Sequence, residues 1–143
     1  MNKHVQNLHT EIIALCDYAI ISQDGKLSIN GIFDELRVQK FPGGIARAFF
    51  VATIAGTPNT TYKLNLKLEN KNSGTTLSNT NIETITAPNG KNNLVIELLG
   101  LAFKEEGDYQ FKIYHDEKEV GATQLKVFHH TGKIINREER MPN

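Results

Sequence analysis

Tyr62, Leu64, Leu66 and Leu68 alternate with Lys63, Asn65, Lys67 and Glu69. A period of two sends successive side chains to opposite sides of an extended chain, so this segment reads as a half-buried strand. The same period recurs in Leu94, Ile96 and Leu98, in Tyr109, Phe111 and Ile113, and in Thr123, Leu125 and Val127. Turn signals close each run: Asp24-Gly25, Pro42-Gly43-Gly44, Thr57-Pro58-Asn59, Asn72-Ser73-Gly74, Pro88-Asn89-Gly90, Glu106-Gly107 and His115-Asp116-Glu117-Lys118. About eight strands are expected, near 11–22, 26–38, 46–55, 61–69, 75–86, 92–103, 108–115 and 119–128. Glu11 to Ile21 is the closest contender for a helix, but its isoleucines and leucine fit a buried strand. The expected fold is all-β, an antiparallel two-sheet sandwich. It would occupy residues 10–129, between polar tails at 1–9 and 130–143.

Composition narrows the class further. The 143 residues hold 16 Lys plus Arg against 16 Asp plus Glu, one Cys and no Trp. One domain is expected, large enough to bury about two-thirds of its unfolded surface without a disulfide or metal. A balanced charge removes the electrostatic case for nucleic acid or an anionic membrane as partner. No apolar run approaches the roughly 18 residues of a spanning helix, and residues 1–10 have no apolar secretory core, so the expected location is cytoplasmic.

A two-residue Asp24-Gly25 loop would set Gln23 opposite Lys26 and fix the first hairpin's register. It places Ile20 opposite Ile29, Tyr18 opposite Gly31 and Cys16 opposite Phe33 on a core-facing side, with Tyr18 covering the bare Gly31. The other face then carries Ile13, Leu15, Asp17 and Ile21, with Asn30 and Ile32 from the second strand. Farther along, Gly107-Asp108-Tyr109 followed by Phe111 looks like the corner of an immunoglobulin-type sandwich, where a tyrosine hydroxyl bonds back to the backbone at the crossover between sheets. Phe111 stands where a bridging cysteine would be. Cys16, Tyr18, Gly25, Gly31, Phe33, Gly107, Tyr109 and Phe111 are therefore expected to be structural.

Cys16-Asp17-Tyr18-Ala19, then Asp24 through Asp34 (Asp-Gly-Lys-Leu-Ser-Ile-Asn-Gly-Ile-Phe-Asp), then Phe41-Pro42 and Phe49-Phe50-Val51, resemble a family of small bacterial proteins known only as a domain of unknown function. The likeness is strongest over 14–54. It implies a compact, mostly β, intracellular protein and carries no activity, cofactor or catalytic residue.

Little in the sequence suggests chemistry. Cys16 as a nucleophile needs a lowered pKa and exposure, whereas its pattern position is buried. His4, His9, His115, His129 and His130 show no metal-ligand spacing. The loop carboxylates Asp24, Asp34, Glu35, Glu105, Glu106, Asp108, Asp116 and Glu117 form no calcium loop motif. Pro42-Gly43-Gly44 lacks the pattern of a phosphate cradle. Lys63, Lys67 and Lys71 share a face with Glu69 and no interleaved aromatic, as a solvated sheet face does. No catalytic residue, metal or cofactor is assigned.

The most suggestive feature is apolar. Strands 11–22 and 46–55 are apolar on both faces, whereas a simple sandwich has a wet outer face. Either a tail covers that sheet or a protein partner or second subunit does. The expected function is thus a binding or assembly module that is not an enzyme, with Ile13, Leu15, Asp17, Ile21, Asn30 and Ile32 at its interface. The alternative is a small-ligand or metal-binding protein or enzyme using loops near Asp34, Pro42, Asp108 and Asp116. A structural component of a larger particle is a third class.

Overall fold

The computed structural model describes residues 8–130. Nine strands form it: β1 (His9–Ile21), β2 (Leu27–Phe33), β3 (Glu35–Val38), β4 (Gly43–Ala55), β5 (Thr61–Asn70), β6 (Thr76–Ile85), β7 (Lys91–Phe103), β8 (Gly107–His115) and β9 (Lys118–His129). They make a four-stranded sheet in the order β2-β1-β4-β7 and a five-stranded sheet in the order β3-β9-β8-β5-β6. The tails expected at 1–9 and 130–143 fall mostly outside the described residues, while His9 already belongs to β1.

Period-two burial holds the sheets together. Tyr62, Leu64, Leu66 and Leu68 of β5 point inward, as do Tyr109, Phe111 and Ile113 of β8 and Leu125 and Val127 of β9. From the other sheet Leu15, Phe50, Ala52 and Ile54 meet them. The Phe50 and Phe111 rings lie 5.8 Å apart across the gap. One polar set seals the β4–β5 connection: Thr86 donates to the Thr57 carbonyl at 2.6 Å and accepts from the Thr60 N–H at 2.9 Å, while Tyr62 Oη accepts from the Thr57 N–H at 2.9 Å. Thr86 is therefore buried at no loss of hydrogen bonding.

The corner expected at Gly107-Asp108-Tyr109 is present. Tyr109 Oη donates to the Glu105 carbonyl at 2.8 Å, and its ring packs 4.6 Å from Phe103. Burial, reinforced by the nearby Glu105 carboxylate, pushes the Tyr109 phenol above its usual range, so it stays a donor at neutral pH. The crossover is that of an immunoglobulin-like sandwich.

Three expectations need correction. Strand 26–38 is two strands: the chain leaves the first sheet at Asp34, whose carbonyl accepts the Lys126 N–H at 2.9 Å, and continues in the second as β3. Because it crosses without reversing, β3 runs parallel to β9, so the sandwich is not wholly antiparallel. The first hairpin is also out of the expected register by one residue. Its loop has three residues, not two: the Ser22 N–H donates to the Lys26 carbonyl and the Gly25 N–H to the Ser22 carbonyl, each at 2.9 Å. Gly25 sits at φ 83°, the left-handed position of a bulged turn. Ser22 Oγ accepts from the Lys26 N–H at 3.1 Å and bonds Asp24, which stabilises the longer loop.

That single residue re-pairs the hairpin. Leu15 lies opposite Phe33, Cys16 opposite Ile32, Tyr18 opposite Asn30 and Ala19 opposite Ile29. Leu15 is fully buried in the main core, and Ile13 and Phe33 pack against it. Leu15 and Ile13 are therefore inward residues rather than interface residues, Cys16 joins the outer cluster, and Tyr18 stands against Phe49 of that cluster. Gly31 is covered by the Asp17 side chain, not by Tyr18.

Two stability measurements check this account. Leu15→Ala should cost about 2–5 kcal/mol in denaturant unfolding, whereas Ile20→Ser should cost less than about 1 kcal/mol; the opposite ranking would restore the two-residue loop. Tyr109→Phe should lower stability by about 1 kcal/mol with the fold intact, and no loss would mean that the corner bond is dispensable.

Candidate interaction surface

The outer face of the β2-β1-β4-β7 sheet reads across the strands in rows. Ile32, Cys16, Phe49 and Glu97 form one row, and Ala14, Val51 and Val95 the next. Arg47 and Leu99 lie opposite each other beside them. Ala14, Cys16, Ala19, Phe49 and Val51 make a second buried cluster, with Ile29 and Val95 packed on it. Burial pushes the Cys16 thiol above its ordinary range, so it is neutral and inert although it lies on the solvent side of the sheet.

Around that cluster the large apolar side chains stay in water. Ile32 is 66% exposed, Leu99 72% and Tyr18 45%. The Tyr18 ring stands edge-on to Phe49 with centroids 5.4 Å apart, so its position is fixed without the ring being covered. The only charges in these rows are Arg47 and Glu97, which form an ion pair, and the Arg47 guanidinium also lies over the Phe49 ring at 5.1 Å.

The outer face of the other sheet is built differently. Lys112 sits between Glu119 at 3.2 Å and Glu69 at 3.8 Å, and Tyr114 Oη donates to Glu69 at 2.9 Å. Burial works against the Lys112 charge, but the bond to Glu119 and the Glu69 and Tyr114 fields outweigh it and raise its pKa. Lys67 lies 4.8 Å over the Tyr114 ring, so an aromatic from β8 does interleave with the lysine row of β5. Reading β5 alone missed it, because the partner strand supplies the ring. Asn65 adds a bond to Asn81 at 2.5 Å. These groups are mutually satisfied, and the face is wet and polar.

The loops named for the alternative function converge only in part. Asp34 and Asp108 share a shallow pocket of about 290 Å³ with Glu35, Lys71 and Lys126. Asp116 and Glu117 line another pocket with Lys63 and Glu83. Asp108 and Asp116 stand at opposite ends of β8, some 26 Å apart at about 3.3 Å per residue. Among the described residues no group of three His, Cys, Asp or Glu side chains is placed to hold a metal ion. Phe41-Pro42 is a cis peptide in the β3–β4 loop, with the Phe41 ring 5.8 Å from His129.

The interface residues read from sequence are thus divided. Asn30 and Ile32 lie on the exposed outer face, while Ile21 is exposed near the hairpin tip and Asp17 is exposed over Gly31. Ile13 and Leu15 belong to the core. Tyr18, Phe49 and Leu99 were not placed there by sequence reading. For Tyr18 the signal that could have found it is the Ser22/Asp24 pair, which favours the longer loop.

The chain matches a family of unknown function, DUF6941, over residues 11–128. No curated protein matches it by sequence. Among solved structures it resembles part of a β-glucosidase from Listeria innocua in complex with isofagomine, at 10% identity and a TM-score of 0.51, over 87% of this chain and 16% of that one. It likewise resembles part of the β-glucosidase EmGH1 from Erythrobacter marinus, at 9% identity and a TM-score of 0.52, over 85% of this chain and 15% of that one. An immunoglobulin-like protein from Pseudomonas aeruginosa aligns at 11% identity and a TM-score of 0.46, over 85% of this chain and 96% of that one. The chain spans only about a sixth of the β-glucosidases' length, and at these identities the likeness is one of fold. No helix among the described residues is long and apolar enough to cross a membrane.

The thiol gives a direct check on the face. Cys16 should react with Ellman's reagent on the order of 10³-fold or more slower than a free thiol in the native protein, and stoichiometrically once unfolded. Rapid native labelling would show that the second cluster does not close over Cys16.

Proposed function

We propose that this chain, which belongs to the DUF6941 family of unknown function, is a non-catalytic binding or assembly module that engages a protein through the outer face of its β2-β1-β4-β7 sheet. The observation that carries the reading is the contrast between the two outer faces. One is a satisfied network of Lys112, Glu69, Tyr114 and Glu119. The other exposes Tyr18, Ile32 and Leu99 around a buried apolar cluster, with Arg47 and Glu97 paired beside it.

Exposed apolar side chains on one sheet face, rimmed by few charges, are what a protein interface requires. Tyr18 and Phe49 supply rigid aromatic surface and Arg47 a stacked guanidinium, the residue types that dominate binding energy at such sites. The face has no cationic track, which favours a protein over a nucleic acid or an anionic lipid surface. The dispersed loop carboxylates offer no comparable support for an enzyme.

Photo-crosslinking in cells tests this. A benzophenone side chain at Leu99 should give one discrete adduct, and the same group at Asn81 on the polar face of the other sheet should give none. Equal labelling from both positions, or none from Leu99, would sink the reading.

A further inference from the structure

The sequence contains two Asn-Gly pairs, Asn30-Gly31 and Asn89-Gly90. This dipeptide readily loses the asparagine amide, because glycine has no side chain to keep its backbone nitrogen away from the side-chain carbonyl carbon of the residue before it. The loss requires that nitrogen and that carbon to swing together into a five-membered ring. The fold treats the two pairs differently.

Asn89-Gly90 is tied down. The Gly90 N–H donates to the Ala87 carbonyl at 2.8 Å, and the Gly90 carbonyl accepts from the Gly56 N–H at 2.8 Å. Asn89 Oδ1 accepts from the Lys91 N–H at 3.0 Å, and Gly90 is buried. The nitrogen and the side-chain amide that would have to meet are both engaged elsewhere.

Asn30-Gly31 lies in β2, and both residues are exposed. β2 is the edge of its sheet, so a ladder holds it from the β1 side alone. In that ladder Cys16 pairs with Ile32 and Tyr18 with Asn30, but the Asp17–Gly31 pair between them is missing. Gly31 stands at φ 71°, with the Asp17 carboxylate against it where a Cβ would be. Glycine is thus required at 31 by the backbone and by Asp17 together. Nothing comparable requires Asn30, whose side chain makes no hydrogen bond to another described residue.

We infer that Asn30 is a site of spontaneous covalent modification, converted to aspartate and isoaspartate through the Gly31 nitrogen while Asn89 persists. The Gly31 nitrogen attacks Cγ of Asn30. That bond forms as the bond from Cγ to the side-chain nitrogen breaks, and ammonia leaves with the proton of the Gly31 amide. Water then opens the ring at either carbonyl, giving an aspartate one way and an isoaspartate, with a main chain longer by a methylene, the other. Water is the one co-reactant, and nothing is oxidised or reduced.

The consequence for the apolar face rests on its reading as a protein interface. Asn30 lies opposite Tyr18, whose ring stands against Phe49, and close along β2 to the exposed Ile32. Either product adds a negative charge beside these groups, which a partner would have to desolvate. The isoaspartate also displaces the pairing with Tyr18, because its extra methylene shifts the strand beyond it. Ageing of the chain thereby withdraws the face from its partner.

Peptide mapping by mass spectrometry tests the site on the purified wild-type chain, held folded at neutral pH and physiological temperature. The peptide with Asn30 should gain the mass difference between a hydroxyl and an amino group at least about tenfold faster than the peptide with Asn89. A protein isoaspartate methyltransferase should methylate the first peptide, and in concentrated urea the two sites should react at similar rates. With a benzophenone at Leu99, Asn30→Asp should give at least about fivefold less adduct than the fresh chain. An Asn30 that keeps its amide, or an Asn89 that reacts as fast in the folded chain, overturns the proposal. Reaction at Asn30 with an undiminished adduct from Asn30→Asp overturns the withdrawal of the face. Reaction at Asn30 with no adduct even from fresh chain sinks the interface reading and leaves the modification site standing.

Discussion

The packing of Leu15, Phe50 and Phe111 between the two sheets decides everything outside them. Each is fully or almost fully buried. Each also sits on a strand whose alternate residues must point the other way, so fixing the dry face fixes the outer one. Once Leu15 and Phe50 turn inward, Cys16 and Phe49 must turn outward, and they lie side by side across β1 and β4. The apolar outer surface is thus a consequence of sequence choice at Ala14 and Cys16 of β1 and at Phe49 and Val51 of β4. The core does not demand apolar residues there.

Much of this was legible because strands and turns write themselves locally. The alternation of β5, β8 and β9 and the Gly and Pro punctuation between strands placed the sandwich, and Tyr109 placed its corner, since a tyrosine two residues before an inward Phe111 has a definite partner upstream. What could not be read was non-local or hung on one residue. The crossing at Asp34 carries no glycine or proline, and only β9 on the far sheet gives β3 a reason to exist. The hairpin register turned on whether Ser22 and Lys26 or Gln23 and Lys26 closed the loop. A side-chain bond from Ser22 settled it, and a period of two turns that one residue into a change of face. Hence the apolar sheet was found from its composition, while Ile13 and Leu15 were assigned to the wrong side of it.

The two outer faces solve the same solvation problem in opposite ways. On the five-stranded sheet, Glu69 serves Tyr114 and Lys112 together, and Lys67 rests on the Tyr114 ring. Such a face has little to gain from a partner, because a partner would have to replace bonds already made. On the four-stranded sheet the charges pair off as Arg47 with Glu97 and Lys91 with Glu11, and the surface around Ile32, Phe49 and Leu99 is apolar. Covering it releases water from Tyr18, Ile32 and Leu99 without breaking an internal hydrogen bond.

Beyond Cys16 β1 pairs only with β2, whose outer side has no neighbour in the four-stranded sheet. Natural sheets usually blunt a free edge with lysine, proline or a bulge, because an open ladder recruits other strands. β2 carries neither lysine nor proline between Leu27 and Phe33, and its only irregular feature is the left-handed Gly31 beneath the Asp17 carboxylate. Its charges lie just outside, Lys26 before it and Asp34 after it. The break at Gly31, where the pair with Asp17 is missing from the ladder, is itself an irregularity of the kind that blunts an edge, so the apolar side chains and not the backbone of this sheet are what it offers to a partner.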